Sequence, residues 1–232
     1  MDASFFRHNH FTDGLERLVR RGFDRLAGKA DDGAFYLTQA MGGGKTHSLI
    51  AFGLLASDPG LRHEIVPNIT SGNDFGAAKV VIFNGHQNPE TLLWGYLADK
   101  LGRPEAMAPF WRNGAKTPGV DEWVNVLGTE PVLILLDELP SYLQMAQGEP
   151  VGSTTLGDLT IGALERLFNA LPRCPRACVV VTNLKDDVYL GRQGQLRCPR
   201  STSSSRCSPT TGRIRTSIRS ARALRGYFRR AC

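Results

Sequence analysis

The chain has 232 residues, of which 41% are hydrophobic and 22% charged, and its formal net charge is +6. Residues 1–190 are long enough for one α/β domain with a buried core. The sequence has no signal-peptide pattern and no apolar run long enough to cross a bilayer, which argues against a secreted or membrane-embedded protein. We therefore expect a cytoplasmic protein without disulfides.

The first predicted helix covers residues 13–27. Its apolar residues recur at helical spacing, and Asp13 with Glu16 forms a capping-box pattern at its start. Four arginines lie on or beside the polar face, namely Arg17, Arg20, Arg21 and Arg25. We interpret the segment as an amphipathic helix that packs on a sheet and keeps its arginines in solvent, rather than as a nucleic-acid contact.

A glycine-rich segment joins the first predicted strand, residues 34–37, to a predicted helix over residues 48–56. Between them lie Gly42, Gly43, Gly44, Lys45 and Thr46. Glycines let consecutive backbone N–H groups turn toward an anion, and the positive end of the following helix adds a favourable field. This predicts a phosphate-binding loop over residues 39–46, in which Lys45 reaches the β- and γ-phosphates and the Thr46 hydroxyl ligates Mg²⁺.

The loop departs from the full pattern G-x-x-x-x-G-K-[ST] at one position. Gln39 stands where the first glycine is expected, so the chain must leave the strand differently, with residues 41–43 supplying the backbone freedom. The alternative interpretation is a glycine-rich strand-to-helix turn that holds no ligand.

The next strand–helix step is predicted at residues 79–84 and 89–101. Residues 103–118 are rich in Pro, Gly and Ala and predict a loop. Residues 132–136 are five consecutive aliphatic residues, which is typical of a parallel strand buried on both faces.

Two acidic residues follow that buried strand. Asp137 and Glu138 would lie at its carboxyl end, the edge at which open α/β sheets bind ligands. Asp137 is the predicted second Mg²⁺ ligand, and Glu138 is the predicted general base that polarises the attacking water. The alternative is that the pair supplies capping charge for a helix that begins near Pro140.

The last predicted strand covers residues 177–183, after a mobile segment at 148–160 and a helix with apolar residues from Ile161 to Leu171. Asn183 ends this strand, and it could reach the γ-phosphate or the water if the strand lies between the other two. Thr182 is the alternative donor. Strands that alternate with helices predict a three-layer α/β/α sandwich with a mostly parallel sheet.

The glycine segment with Lys45 and Thr46, the Asp137–Glu138 pair and the strand end at Asn183 resemble the corresponding parts of AAA+-like P-loop ATPases. Four segments carry a narrower resemblance: residues 4–7, 11–15, 42–48 and 91–98. They resemble a large prokaryotic AAA+-like ATPase family of unknown function, whose members are often encoded beside DNA methyltransferases in restriction or phage-defence clusters. The resemblance implies ATP and Mg²⁺ as cofactors, His47 as a further nucleotide-binding residue, and DNA, a methyltransferase complex or a second copy of the chain as partners.

Family members are longer than this chain, so the resemblance also implies that the sandwich is incomplete at its C-terminus. A lid, an arginine finger and a second sensor would be expected in the missing part. The core would then be residues 1–190, with residues 191–232 as a separate tail.

The tail differs from the core in composition. No Asp or Glu follows Asp187, whereas 11 of the 28 basic residues do, all of them Arg. The remaining 17 basic residues face 22 acidic ones, so the core has a net charge of −5. A tail of Arg, Ser, Pro and Thr without Lys is typical of out-of-frame translation of a GC-rich gene, and the alternative is a disordered basic arm that binds nucleic acid.

The sequence therefore predicts a Mg²⁺-dependent ATPase in which Glu138, Lys45 and Asn183 are catalytic. Two alternatives belong to other classes. The first is a regulatory or assembly module that binds nucleotide with little turnover, and the second is a nucleotide-gated protein that binds nucleic acid through its tail.

Overall fold

The computed structural model describes residues 4–7, 11–39, 44–69, 75–86, 92–184 and 213–216. Its strands are β1 (Ala34–Gln39), β2 (Lys79–Asn84), β3 (Val132–Asp137), β4 (Pro150–Val151), β5 (Thr154–Thr155), β6 (Ala177–Leu184) and β7 (Arg213–Thr216). Its α-helices are α1 (Ser4–Arg7), α2 (Asp13–Leu26), α3 (Lys45–Ser57), α4 (Pro59–Ile65), α5 (Leu93–Lys100), α6 (Pro104–Met107), α7 (Val120–Leu127), α8 (Leu139–Gln147) and α9 (Leu156–Ala170).

Five of the strands form one sheet in the order β2-β3-β6-β1-β7. The first four are parallel, and β7 is antiparallel to β1. The predicted α/β class with a mostly parallel sheet is confirmed. Because β6 lies between β1 and β3, the condition set for the Asn183 strand is also met.

The core is divided between the two faces of this sheet. Side chains alternate along each strand, so Phe35 and Leu135 join the helices α2, α3 and α4 on one face. Tyr36 and Ile134 join α5, α7, α8 and α9 on the other. Helices therefore cover both faces, and every residue of β3 is buried, as its aliphatic run predicts.

The start of α2 differs from the expectation. Its N-cap is Thr12, whose hydroxyl accepts a hydrogen bond from the Leu15 N–H at 3.2 Å, and not Asp13. Glu16 does not close a capping box but pairs with Arg20 one turn later, with 3.0 Å between Nη2 and Oε1. The helix ends at Leu26, one residue earlier than predicted.

The solvated position predicted for Arg25 is wrong. Its side chain is only 2% exposed and donates to the carbonyl oxygens of Ala30, Asp31, Leu171, Cys174 and Ala177. The connection before β1, the connection before β6 and the first residue of β6 supply these carbonyls, so the guanidinium joins them at the amino-terminal edge of the sheet.

Three segments are more regular than the sequence suggested. The expected loop at 103–118 holds α6 and a 3₁₀ turn, Ala108–Phe110. The expected mobile segment at 148–160 is the β4–β5 hairpin followed by the first turn of α9. The helix predicted over residues 89–101 begins at Leu93 in the structure, and residues 87–91 lie outside the described part.

In the tail, the structure describes β7 alone, which pairs with β1 from Phe35 to Thr38. The proposed frameshift or disordered origin of residues 191–232 stays a prediction. Among the helices that the structure describes, none has the length and apolar character needed to cross a membrane.

Candidate functional site

The carboxyl ends of β1, β6 and β3 lie side by side, and the predicted site residues follow them. Gly44 adopts a left-handed conformation, with φ 74° and ψ 21°, immediately before α3 begins at Lys45. Glycine takes up this conformation at little cost, which lets the chain turn into the helix. Lys45 and Thr46 therefore occupy the first turn of α3, at the positive end of its dipole.

Thr46 and Asp137 meet across the site. The Thr46 hydroxyl donates to Asp137 Oδ2 at 2.8 Å, although the two residues are 91 positions apart. The two predicted magnesium ligands are thus close enough to bind the same metal ion. Their oxygen atoms are of the type that Mg²⁺ prefers.

The second oxygen of Asp137 is bound from β6. Thr182 Oγ1 donates to Asp137 Oδ1 at 2.6 Å, and the two residues are 1% and 2% exposed. A short hydrogen bond to an ionised carboxylate is among the stronger kinds in proteins. Asp137 is consequently held on both sides, by Thr46 and by Thr182.

Glu138 has an unusual backbone conformation. Its φ of 52° makes it the one non-glycine residue with a positive φ in the part of the chain that the structure describes. It is the N-cap residue of α8, but its carboxylate makes no capping hydrogen bond to that helix. The Glu138 side chain therefore does not cap α8 by a hydrogen bond, and the alternative role of the acidic pair as capping charge stays a prediction.

The turn after β2 lies against Glu138. The Gly85 N–H donates to the Asp137 carbonyl at 2.8 Å. A Cβ atom at Gly85 would lie 2.0 Å from the Glu138 carbonyl oxygen, so only glycine permits this approach. His86, the next residue, brings its Nε2 to 3.9 Å from Glu138 Oε2.

Sequence reasoning missed Gly85 and His86. The available signal was their position, because both follow a predicted parallel strand at the edge where Asp137 and Glu138 also lie. The chemistry of Gly85 cannot be read locally, since its requirement comes from contact with a residue 53 positions away.

Other predicted site residues are placed in part. Lys45 is 7% exposed, and the ring of His47 stacks on Phe5 with centroids 6.1 Å apart. Gly42 and Gly43 lie outside the described residues. The backbone of Asn183 pairs with Thr38 at the carboxyl end of β6, and its side chain is outside the described part.

The side chains of the site can be compared with those that metal ions usually bind. Within the described residues, no group of three or more His, Cys, Asp or Glu side chains is gathered as a metal cage. One hydroxyl and one carboxylate suit Mg²⁺, which commonly takes its other ligands from phosphate and water. Thr46 and Asp137 are therefore the residues at this site that could hold Mg²⁺ together with ligands from outside the protein.

A cavity of about 310 Å³ lies elsewhere, at the amino-terminal end of β1. It is lined by Arg21, Asp24, Ala30, Asp31, Asp32 and Phe35. Arg21 donates to Asp32 at 2.7 Å across this cavity. It shares no residue with the site at the carboxyl edge.

Comparison with known proteins relates the start of the chain to a family model. Residues 2–65 match the family model described as the DUF499 N-terminal domain, a segment that includes α2, β1, α3 and the predicted phosphate loop. No curated protein matches the chain, and no solved structure does. Over residues 2–65 the chain is thus similar to a domain of unknown function, in agreement with the coarser part of the resemblance drawn from its motifs.

Proposed function

We propose that this chain is an AAA+-like P-loop protein that binds ATP with Mg²⁺ and hydrolyses it to ADP and phosphate. The observation that carries the proposal is the 2.8 Å contact between the Thr46 hydroxyl and Asp137 Oδ2. A hydroxyl at the start of a helix and a carboxylate at the end of a strand are the two side chains that hold the magnesium of the nucleotide complex in P-loop NTPases.

The phosphates would be held by the glycine segment and by Lys45. Backbone N–H groups of Gly42, Gly43 and Gly44, together with the first turn of α3, would face the phosphate oxygens, with His47 following in the same turn. Lys45 would neutralise the β- and γ-phosphates. When bound between Thr46 and Asp137, Mg²⁺ would neutralise charge that develops on the phosphate oxygens.

Glu138 is the proposed general base. Its side chain makes no capping hydrogen bond to α8 and is 27% exposed, so water can reach it. It would accept a proton from the attacking water as the water oxygen forms a bond to the γ-phosphorus, while the bond from that phosphorus to the β–γ bridging oxygen breaks and ADP leaves. Asn183 is proposed to sense the γ-phosphate, and the placement of β6 between β1 and β3 supports this.

The biological setting is proposed from resemblance alone. In this proposal the chain is a cytoplasmic protein of a restriction or phage-defence system. Its partner would be DNA, a methyltransferase-containing complex or a second copy of the chain. A regulatory module with little turnover is the competing function, and the experiment below separates the two.

The test measures ATP binding and ATP hydrolysis in the full chain with three variants. Lys45→Ala is expected to abolish binding of a fluorescent ATP analogue. Glu138→Gln is expected to retain binding and lower kcat by roughly 10²–10⁴, the usual contribution of a general base. Glu149→Gln changes an exposed glutamate outside the site and serves as the control.

The outcomes are distinct. Wild-type binding without turnover would support the regulatory module and reject the enzyme. Equal hydrolysis rates in wild type and Glu138→Gln would reject Glu138 as the base. Binding that Lys45→Ala leaves unchanged would reject the phosphate loop itself.

A further inference from the structure

The hydroxyl of Thr182 lies between the two acidic residues of the site. Its Oγ1 donates to Asp137 Oδ1 at 2.6 Å and accepts from the Glu138 N–H at 3.3 Å. It therefore contacts the side chain of one acidic residue and the backbone of the next.

These two hydrogen bonds use the only donor of the Thr182 hydroxyl inside the protein. A threonine hydroxyl has one proton to donate, and Thr182 gives that proton to Asp137. The side chain is 1% exposed, so it is not at the surface that a nucleotide would touch. The donor role toward phosphate considered for Thr182 from sequence is thus replaced by a link inside the protein.

The link determines which oxygen of Asp137 faces the cation position. With Oδ1 bound to Thr182, Oδ2 is the oxygen that meets Thr46. Rotation of the carboxylate would break the 2.6 Å hydrogen bond. Outer contacts of this type orient metal-binding carboxylates in many proteins.

The same hydroxyl also bears on Glu138. A left-handed conformation is unfavourable for a residue with a side chain and persists only where the surroundings hold it. The hydrogen bond from Glu138 N to Thr182, and the close approach of Gly85 to the Glu138 carbonyl, hold this residue from opposite sides.

We propose that Thr182 is a positioning residue that fixes the Asp137 carboxylate relative to the backbone of Glu138. Asp137, as the cation ligand, and Glu138, as the group that directs water, can then act on the same phosphate. The proposal rests on the proposed function and deepens it. In this proposal the Thr182 hydroxyl orients Asp137 and Glu138, whereas Asn183 is the residue of β6 that contacts the ligand.

The test compares Thr182→Val, which removes the hydroxyl at similar volume, with Thr182→Ser, which keeps it. The valine variant is expected to need about 10–100-fold more Mg²⁺ for half-maximal activity, or to lose kcat by a similar factor, with little change in KM for ATP. The serine variant is expected to regain most of that loss. Thr160→Val is the control, because Thr160 is also fully buried but donates to the Leu156 carbonyl within α9.

A second readout needs no nucleotide. Hydrogen exchange at the Glu138 amide in the ligand-free chain is expected to accelerate several-fold in Thr182→Val and to change little in Thr160→Val. This measurement separates the two proposals: an inactive wild type would reject the ATPase, whereas an unchanged exchange rate would reject the Thr182 link.

Several results would overturn the proposal. They are unchanged Mg²⁺ dependence and kcat in Thr182→Val, a serine variant as defective as the valine variant, or a loss that follows the folded fraction alone. If Thr182→Val does not fold, Thr182→Ala carries the same comparison, because it removes the hydroxyl without placing a methyl group beside the Asp137 carboxylate.

Discussion

Replacement of Arg25 is expected to destabilise the domain far more than replacement of an exposed arginine on α2. The guanidinium is buried and donates to five backbone carbonyls, among them those of Ala177, Leu171 and Ala30. These carbonyls belong to the start of β6, the connection that precedes it and the connection that precedes β1. Burial lowers the pKa of Arg25, and nearby acidic groups oppose that shift, so the charge is held at the expense of desolvation.

The expected cost follows from what Arg25→Met would leave behind. Methionine fills much of the same volume but donates nothing, so all five carbonyls would lose this partner, three of them in a buried setting. A buried acceptor that loses its hydrogen bond typically costs about 1–3 kcal/mol. A domain has a total stability of about 5–15 kcal/mol, so the variant should lose a large share of it.

The assay is urea denaturation followed by circular dichroism, with the midpoint compared at a constant slope. Arg25→Lys keeps the charge but presents fewer donors, and it should fall between wild type and Arg25→Met. Arg20→Ala, on the exposed face of the same helix, removes a surface pair worth about 0.3–0.5 kcal/mol and serves as the control. A change below about 1 kcal/mol for Arg25→Met, or one equal to that of Arg20→Ala, would refute the reasoning.

Two further predictions concern the site and the core. Gly85→Ala places a methyl group 2.0 Å from the Glu138 carbonyl oxygen, so the turn after β2 must move. We expect the rate of ATP hydrolysis to fall about as much as in Glu138→Gln. A wild-type rate would contradict the prediction. Burial raises the pKa of the Cys178 thiol, so the unfolded chain releases this proton first as pH rises above about 8.5. Above that pH the folded state binds more protons than the unfolded state, so the free energy of unfolding should fall as pH rises, by up to about 1.4 kcal/mol per pH unit. If the Cys178 thiol causes this slope, the slope should be smaller in Cys178→Ala.

Much of the sheet could be predicted because its signals are local. Five aliphatic residues before Asp137 suffice to identify a strand buried on both faces, and glycines before Lys45 suffice to identify a strand-to-helix turn that faces an anion. Both patterns depend on neighbours within a few positions. The order of the strands cannot be predicted in this way, since no local pattern indicates which strand lies between two others.

The tertiary structure decided the partners of polar groups. By helical periodicity Arg25 belongs to a polar face, but its acceptors at Leu171 and Ala177 are 146 and 152 positions away. Thr182 likewise became a link between Asp137 and Glu138 only because β6 lies beside β3. A side chain's periodicity states which way it points from its own helix or strand, whereas its burial and hydrogen bonds depend on what the rest of the chain brings against it.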